Sequence, residues 1–522
     1  MPASVCAHSV LYHDTCEDAK KHTSWSRPDE SERLAAQTFD GRAPLVTSGT
    51  RHKPSSFPGP LVMPDDVLAF EPDTEPQTSH EYVNADYRNR VTPERNVIYL
   101  YDAPTVAPEV ARVETWTDPV VPCGAENAPP AGSQTSSRPN VMSIAEYVKA
   151  FYHGMEVRYI YHRFRLVAWK DTRRGKKKVD CIGLEAPATL EHTASVTQIR
   201  HRPSRDGVAP GGQLNLNDLL DGLQEALPSD AYAAMLLMHH DMYEDDDDDF
   251  CCGRAYGASR ISVMSTFRDH PKLGPSQGIM IDHTWPNSHC REYVDDVWAC
   301  SLEQENKTSL GKTQSFNRSQ MLRLVDTAKA KRSGSGGDGA SSGSQLPEPI
   351  FAAVQSTSSL AAADFKRRRW EQTWLERACV IAVHELGHCF GLDHCVYYAC
   401  VMQGTASVAE DSQQPPYLCP VCQAKVAYTV AVESAPTKGR RKRTNEEGER
   451  MVRKWTLDQY GALMAYCEQH RDGFMFRGME AWLQARIGEI TESNTLPKRP
   501  EDSGGKTSGR KRTASYFTDL LD

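Results

Sequence analysis

Apolar positions along the chain change their period often enough to mark separate elements. Val97 to Tyr101 (VIYLY) is a β-branched and aromatic run that predicts a first buried strand. Ser143-Ile-Ala-Glu146 has the form of a capping box, and Ile144, Tyr147, Val148 and Phe151 recur at helical spacing, so a helix is predicted from Ser143. Tyr159 to Trp169 alternates as a strand, Leu216 to Leu227 reads as a helix, and Ala231 to Met238 is a continuous apolar run suited to a central strand. Two further strands are predicted at 252–256 and 260–266, joined at Gly257. Helical patterns cover Gln320 to Ala330, about Asp364 to Gly391, Trp455 to Cys467 and Phe474 to Ile490. The mixture predicts an α+β fold.

Between these elements the chain is polar. Only 39% of its 522 residues are hydrophobic, so the folded part is expected to be smaller than the length. Residues 1–90 are broken by prolines and predicted to be mostly disordered, residues 332–349 form a Gly/Ser-rich flexible linker, and 493–522 a disordered basic tail. One catalytic domain is expected over 91–492, with 392–492 as a C-terminal subdomain.

The chemistry is concentrated between His384 and Cys422. His384 and His388 lie four apart in a predicted helix, so their imidazoles share a face and can reach one ion. Glu385 sits beside that ion, placed to act on water rather than to bind the metal. Gly391 allows an abrupt exit from the helix, returning His394 as a third ligand. Three protein ligands leave a tetrahedral zinc ion one open position, as catalysis requires. A buried helix that merely contains histidines would be the blander account, but composition gives the full HExxHxxGxxH pattern by chance at roughly 10⁻⁴.

Cys395, Cys400, Cys419 and Cys422 supply two short-range pairs, the ligand set of a structural zinc site. Disulfides are the alternative. The 15 cysteines are odd in number and otherwise scattered, and the N-terminus lacks an apolar signal region, which favours reduced, metal-binding thiols. Because Cys395 follows His394 directly, the second ion is expected to fix the direction of the third catalytic ligand.

In its extended zinc motif, the Cys immediately after the last His, the CxM of Cys400 and Met402, and the distal CxxC, this stretch resembles the archaemetzincins, zinc peptidases of the metzincin clan. The resemblance implies a metzincin-like α+β zinc peptidase with a mixed twisted sheet, an active-site helix and a small zinc-stabilised C-terminal subdomain. It implies Met402 as the Met-turn residue beneath the catalytic zinc, two zinc ions per chain, and activity on small peptides or amino termini. It also implies that an edge strand binds substrate, with main-chain groups from Ala258 to Val263 expected to do so.

The expected reaction is peptide-bond hydrolysis by zinc-activated water, with Glu385 as general base and then general acid. The alternative is a zinc-stabilised protein that binds peptides with little or no hydrolysis. Net charge −9 speaks against a dedicated nucleic-acid partner, and no apolar run is long enough for a membrane span. The chain is therefore expected to be intracellular, cytoplasmic or nuclear, with peptide or protein substrates as partners. Lys498-Arg499 followed by Arg510 to Arg512 is a bipartite basic arrangement that a nuclear import receptor could read. The acidic run Glu244 to Asp249 is expected to be a solvated loop tip between strands, and His239 and His240 are expected to be structural.

Overall fold

The computed structural model describes residues 8, 10–11, 17–44, 53–121, 138–161, 163–169, 181–188, 192–257, 259–309, 348–358, 367–435 and 445–492. Its centre is a five-stranded sheet built from β1 (Val97–Tyr101), β3 (Glu156–Ile160), β8 (Ala231–Met238), β10 (Gly253–Ala255) and β11 (Ile261–Ser265), in the order β10-β11-β8-β1-β3. β1 runs parallel to both β3 and β8, and β8 parallel to β11. Only β10 is antiparallel. Every residue of β1, β8 and β11 is buried, because a parallel sheet covered on both faces offers no polar side.

The two faces separate by the strand period of two. Ile98, Leu100, Met235, Leu237 and Met264 face a helical core, whereas Val97, Tyr99, Leu236, Met238 and Val263 face a second core. That second core is closed by another sheet and by α2 (Leu216–Gln224). The other sheet contains β2 (Thr105–Val106), β4 (Arg165–Ala168), β5 (Cys181–Ala186), β6 (Ser195–Arg202), β7 (Gln213–Asn215) and β9 (Met242–Tyr243). The helical side holds α1 (Val141–Phe151), α3 (Pro349–Ser358), α4 (Arg367–Cys389), α5 (Pro420–Ala427), α6 (Asn445–Gln469) and α7 (Phe474–Glu492). α4 is the helix that carries the histidine motif, and it packs on α1, β10 and β11.

Several boundaries differ from the sequence reading. α1 begins at Val141, two residues before the supposed capping box, with Asn140 as its cap: the Asn140 side chain accepts from the Ser143 N–H at 2.8 Å. Either residue satisfies an orphan donor, and the chain uses the earlier one. Tyr159 to Trp169 is not one strand but the end of β3, a break, and β4 in the other sheet. α3, beginning at Pro349, was missed where the low-complexity segment ends. The helical pattern at 320–330, most of the 332–349 linker and the 493–522 tail, with its bipartite basic arrangement, lie outside the described residues.

The expectation of disorder over 1–90 is corrected for the described part. Phe57 is buried in an aromatic cluster with Tyr417 (5.7 Å between ring centres) and Trp482 (5.5 Å). Arg88 is buried and forms a two-pronged ion pair with Glu433 at 2.6 and 2.9 Å. Four short helices, Glu17–His22, Glu30–Ala36, Val67–Phe70 and Ser79–Asn84, lie in this segment between its prolines.

Candidate active site

α4 presents the motif to a cleft of about 230 Å³ lined by His384, Glu385, His394, Gly253 and Asp411 among others. Tyr152 aligns the helix end: its hydroxyl donates to the Val383 carbonyl at 2.6 Å and its ring stacks on Phe390 at 4.5 Å. The chain leaves the helix through Gly391, whose φ of +89° lies in the left-handed region that side chains with a Cβ avoid. Gln77, from the N-terminal segment, donates to the Gly391 carbonyl at 3.0 Å. This turn brings His394 back, so the ligating atoms of His384, His388 and His394 lie within 4.8 Å of one another.

The hydrogen bonds fix which nitrogens point inward. Nδ1 of His384 is 2.7 Å from the Val401 carbonyl, and Nδ1 of His388 is 2.7 Å from the Leu392 carbonyl. A carbonyl only accepts, so both Nδ1 atoms carry the proton and both Nε2 atoms are bare. Those two Nε2 atoms are 3.1 Å apart. Two facing lone pairs at that distance repel unless a cation lies between them, and about 3.3 Å is the spacing two nitrogens adopt on a tetrahedral zinc ion. Burial lowers the pKa of all three histidines, with His394 brought down to about 4, which keeps them in the neutral form that a metal requires.

Glu385 is buried, with 7% of its surface exposed. Its pKa is pushed up to about 8, first by burial and then by Asp411, against the pull of Arg254 and the Ala255 N–H. One carboxylate oxygen has no hydrogen-bond partner among the described residues. Gly253 makes this close approach possible, since a Cβ there would lie 2.9 Å from the Glu385 side chain.

Beneath the histidines, Met402 is fully buried with its sulfur against Gly387, where a Cβ would come within 2.4 Å of Sδ. Its carbonyl accepts the Cys395 N–H at 2.7 Å. The sulfurs of Cys395, Cys400, Cys419 and Cys422 also gather within 4.8 Å, and all four are free and buried. Cys395 and Cys419 are 3.5 Å apart, far beyond a disulfide bond of about 2.05 Å and close to the sulfur spacing of about 3.8 Å on a tetrahedral zinc ion. Cys400 Sγ faces the N–H of Cys419 at 3.2 Å and of Met402 at 3.5 Å. The three neighbouring sulfurs pull the Cys395 pKa well down, whereas burial raises those of Cys400 and Cys419. Four thiols gathered this closely match the donor set of a structural zinc site.

The substrate-binding expectation at Ala258 to Val263 is corrected. β11 lies between β10 and β8, so its main-chain groups are already paired, and Ala258 lies outside the described residues. The edge is β10, and Phe250 to Gly253 line the cleft. The acidic run does connect two strands, but three of its carbonyls receive Arg202 and Arg205: Arg202 bonds those of Asp245 and Asp248, and Arg205 that of Asp247. His239 bonds Thr266 and His240 bonds the Val113 carbonyl, away from the motif. Asp411, Arg254 and Gly253 were not foreseen as site residues, because no local spacing ties them to the histidines.

The site thus combines a helix-borne histidine triad, an adjacent carboxylate and a four-sulfur cluster. Residues 356–428 match the family model described as Peptidase family M54. Archaemetzincin-2 of Macaca fascicularis is 45% identical over 56 residues, covering 11% of this chain and 16% of that protein. Archaemetzincin of Thermococcus kodakarensis is 35% identical over 85 residues, covering 16% of this chain and 46% of that one. The crystal structure of archaemetzincin from Methanopyrus kandleri aligns over 65% of this chain and 97% of that chain, with 14% identity and a TM-score of 0.27, too loose a superposition to weigh. Through this stretch the chain is similar to the archaemetzincins and to peptidase family M54. It spans about a sixth of the length of the Macaca relative. Among the described residues no helix is long and apolar enough to cross a membrane.

Proposed function

We propose that the chain is a zinc-dependent metallopeptidase in which His384, His388 and His394 hold the catalytic ion and Cys395, Cys400, Cys419 and Cys422 a second, structural one. The observation that carries this reading is the pair of bare Nε2 atoms 3.1 Å apart beside a buried carboxylate oxygen that lacks a partner among the described residues, in an open cleft. Zinc, when bound, polarises the scissile carbonyl and lowers the pKa of water at its open position.

The chain's own residues supply the rest. Glu385 takes a proton from the attacking water and passes it to the leaving amine, a role suited to a carboxylate whose pKa burial has moved toward neutrality. The edge strand β10 aligns the substrate backbone as an added strand along the cleft. Gly253 keeps that strand close to Glu385 without a clash. Met402 supports the histidines from below and, through its carbonyl, ties Cys395 to the same layer. The catalytic unit is assigned to 91–492, together with the packed part of the N-terminal segment.

Metal analysis of the purified protein should find two zinc ions per chain. Glu385→Gln should retain both and lose peptide hydrolysis, since it keeps the shape of the side chain and removes the base. Wild-type turnover by Glu385→Gln sinks the proposal, and metal retention without hydrolysis by either protein would favour a peptide-binding module. Comparing free and acetylated amino termini on the same peptides tests whether cleavage is amino-terminal.

A further inference from the structure

We propose that a chamber opening off the cleft seats a lysine or arginine side chain of the bound peptide, with Asp269 as the acceptor for its charge. The inference rests on the peptidase reading above and names the substrate class. The chamber has about 80 Å³ of free space and shares Val380, Ile381, Val408, Asp411 and Gln414 with the cleft. Val380 and Ile381 lie on α4 one turn before His384, so a side chain beside the scissile bond can enter it.

The chamber combines apolar and acidic side chains in its lining. Val380, Ile381, Val408 and Trp285 line it together with Asp269 and Asp411. Long basic side chains match this combination, because their methylene stems lie along apolar surface while the charged head seeks acceptors. At roughly 10–15 Å³ per water-sized group, the space holds about five to eight such groups, the range that spans the side chains of lysine and arginine.

Asp269 is the decisive residue. It is 1% exposed, and its Oδ2 has no hydrogen-bond partner among the described residues. A buried carboxylate oxygen left this way is costly unless a donor arrives. Burial raises the pKa of Asp269 to about 8 against the pull of the Arg377 guanidinium, so the group stays largely protonated near neutrality until a further cation arrives. Arg377 lines the same chamber, but its guanidinium donates to the main-chain carbonyl of Asp269 at 3.2 Å. Asp411, which lines both the chamber and the cleft, accepts from the Thr405 hydroxyl at 2.6 Å. Glu376 also borders the space, yet its carboxylate is engaged by the Phe476 N–H at 3.0 Å at the start of α7. Asp269, Glu376, Asp411 and Asp472 thus border the space against the guanidinium of Arg377, so the complement of this lining is a cationic donor that displaces the Asp269 proton.

The test uses full-length Glu385→Gln protein, which binds without turning over, and labelled peptides differing only in lysine, norleucine or glutamate at one position. Lysine peptides should bind at least tenfold more tightly than norleucine peptides, and adding Asp269→Asn should bring the two within twofold to threefold. Asp411→Asn is the second variant, and it should reduce the lysine preference in part. Equal affinity for lysine and norleucine, tighter binding of glutamate, or a lysine preference untouched by both variants would overturn the inference. Wild-type protein that cleaves none of the peptides while the lysine preference persists would instead refute the peptidase reading and leave the chamber assignment standing.

Discussion

Adding one methyl group at Gly387 should disturb both candidate metal sites. A Cβ built at Gly387 lies 2.4 Å from Sδ and 2.9 Å from Cε of Met402, whereas ordinary contacts are about 3.5–4.0 Å. Met402 is fully buried, so its sulfur must retreat by about 1 Å into occupied space. The Met402 carbonyl holds the Cys395 N–H at 2.7 Å and its N–H faces Cys400 Sγ at 3.5 Å, so the shift reaches the cysteine cluster and, through Cys395, His394. Overpacking of this kind costs about 1–3 kcal/mol, and a displacement of about 1 Å near the reacting centre lowers turnover by about 10²-fold. Gly461→Ala is the control: nothing lies within 4 Å of its Cβ in α6, and it should gain about 0.5–1 kcal/mol. Melting temperature, zinc content and peptide hydrolysis are the readouts. If Gly387→Ala behaves like Gly461→Ala in melting and like wild type in turnover, the mechanical link through Met402 is wrong.

Cys419→Ser should lose one zinc equivalent and lower the melting temperature while leaving the histidine site able to take up metal, and two equivalents with unchanged melting would contradict it. Arg88→Ala removes the partner of Glu433 from a buried two-pronged ion pair whose arginine side chain is only 1% exposed; denaturant titration should show a loss of about 3–5 kcal/mol, and a loss below about 1 kcal/mol would count against the pair. Burial raises the Glu376 pKa from 4.5 to about 7, so between those values the folded state holds a proton that the unfolded state has released. Its contribution is favourable at low pH and declines as pH rises through that window, by roughly 3 kcal/mol in total. Glu376→Gln, which can still accept from the Phe476 N–H, should flatten the pH dependence of stability, and an unchanged slope would refute the assignment.

Much of the site was legible because its information is local. A helix places residues four apart on one face, so His384 and His388 converge whatever the rest of the chain does, and Gly391 marks the turn that returns His394. Ala231 to Met238 was equally plain, since a strand buried on both faces must be apolar throughout. Other elements were misread where two local solutions are nearly equal. Asn140 and Ser143 can each cap α1, and the break between β3 and β4 is hidden in an alternating run that serves two different sheets.

Sequence by itself determined which histidines and cysteines gather, the helix that carries the carboxylate and the buried central strand, because each depends on spacing along a few turns or one strand. Tertiary structure alone decided which strand borders the cleft, since β10 and β11 look alike until pairing with β8 leaves only β10 at the edge. It also decided that Phe57, Gln77 and Arg88 belong to the folded body and that Asp411 borders both the cleft that holds Glu385 and the neighbouring chamber lined by Asp269. These contacts join residues tens to hundreds of positions apart, and the hydrophobic effect and desolvation that select them depend on burial, which no local pattern records.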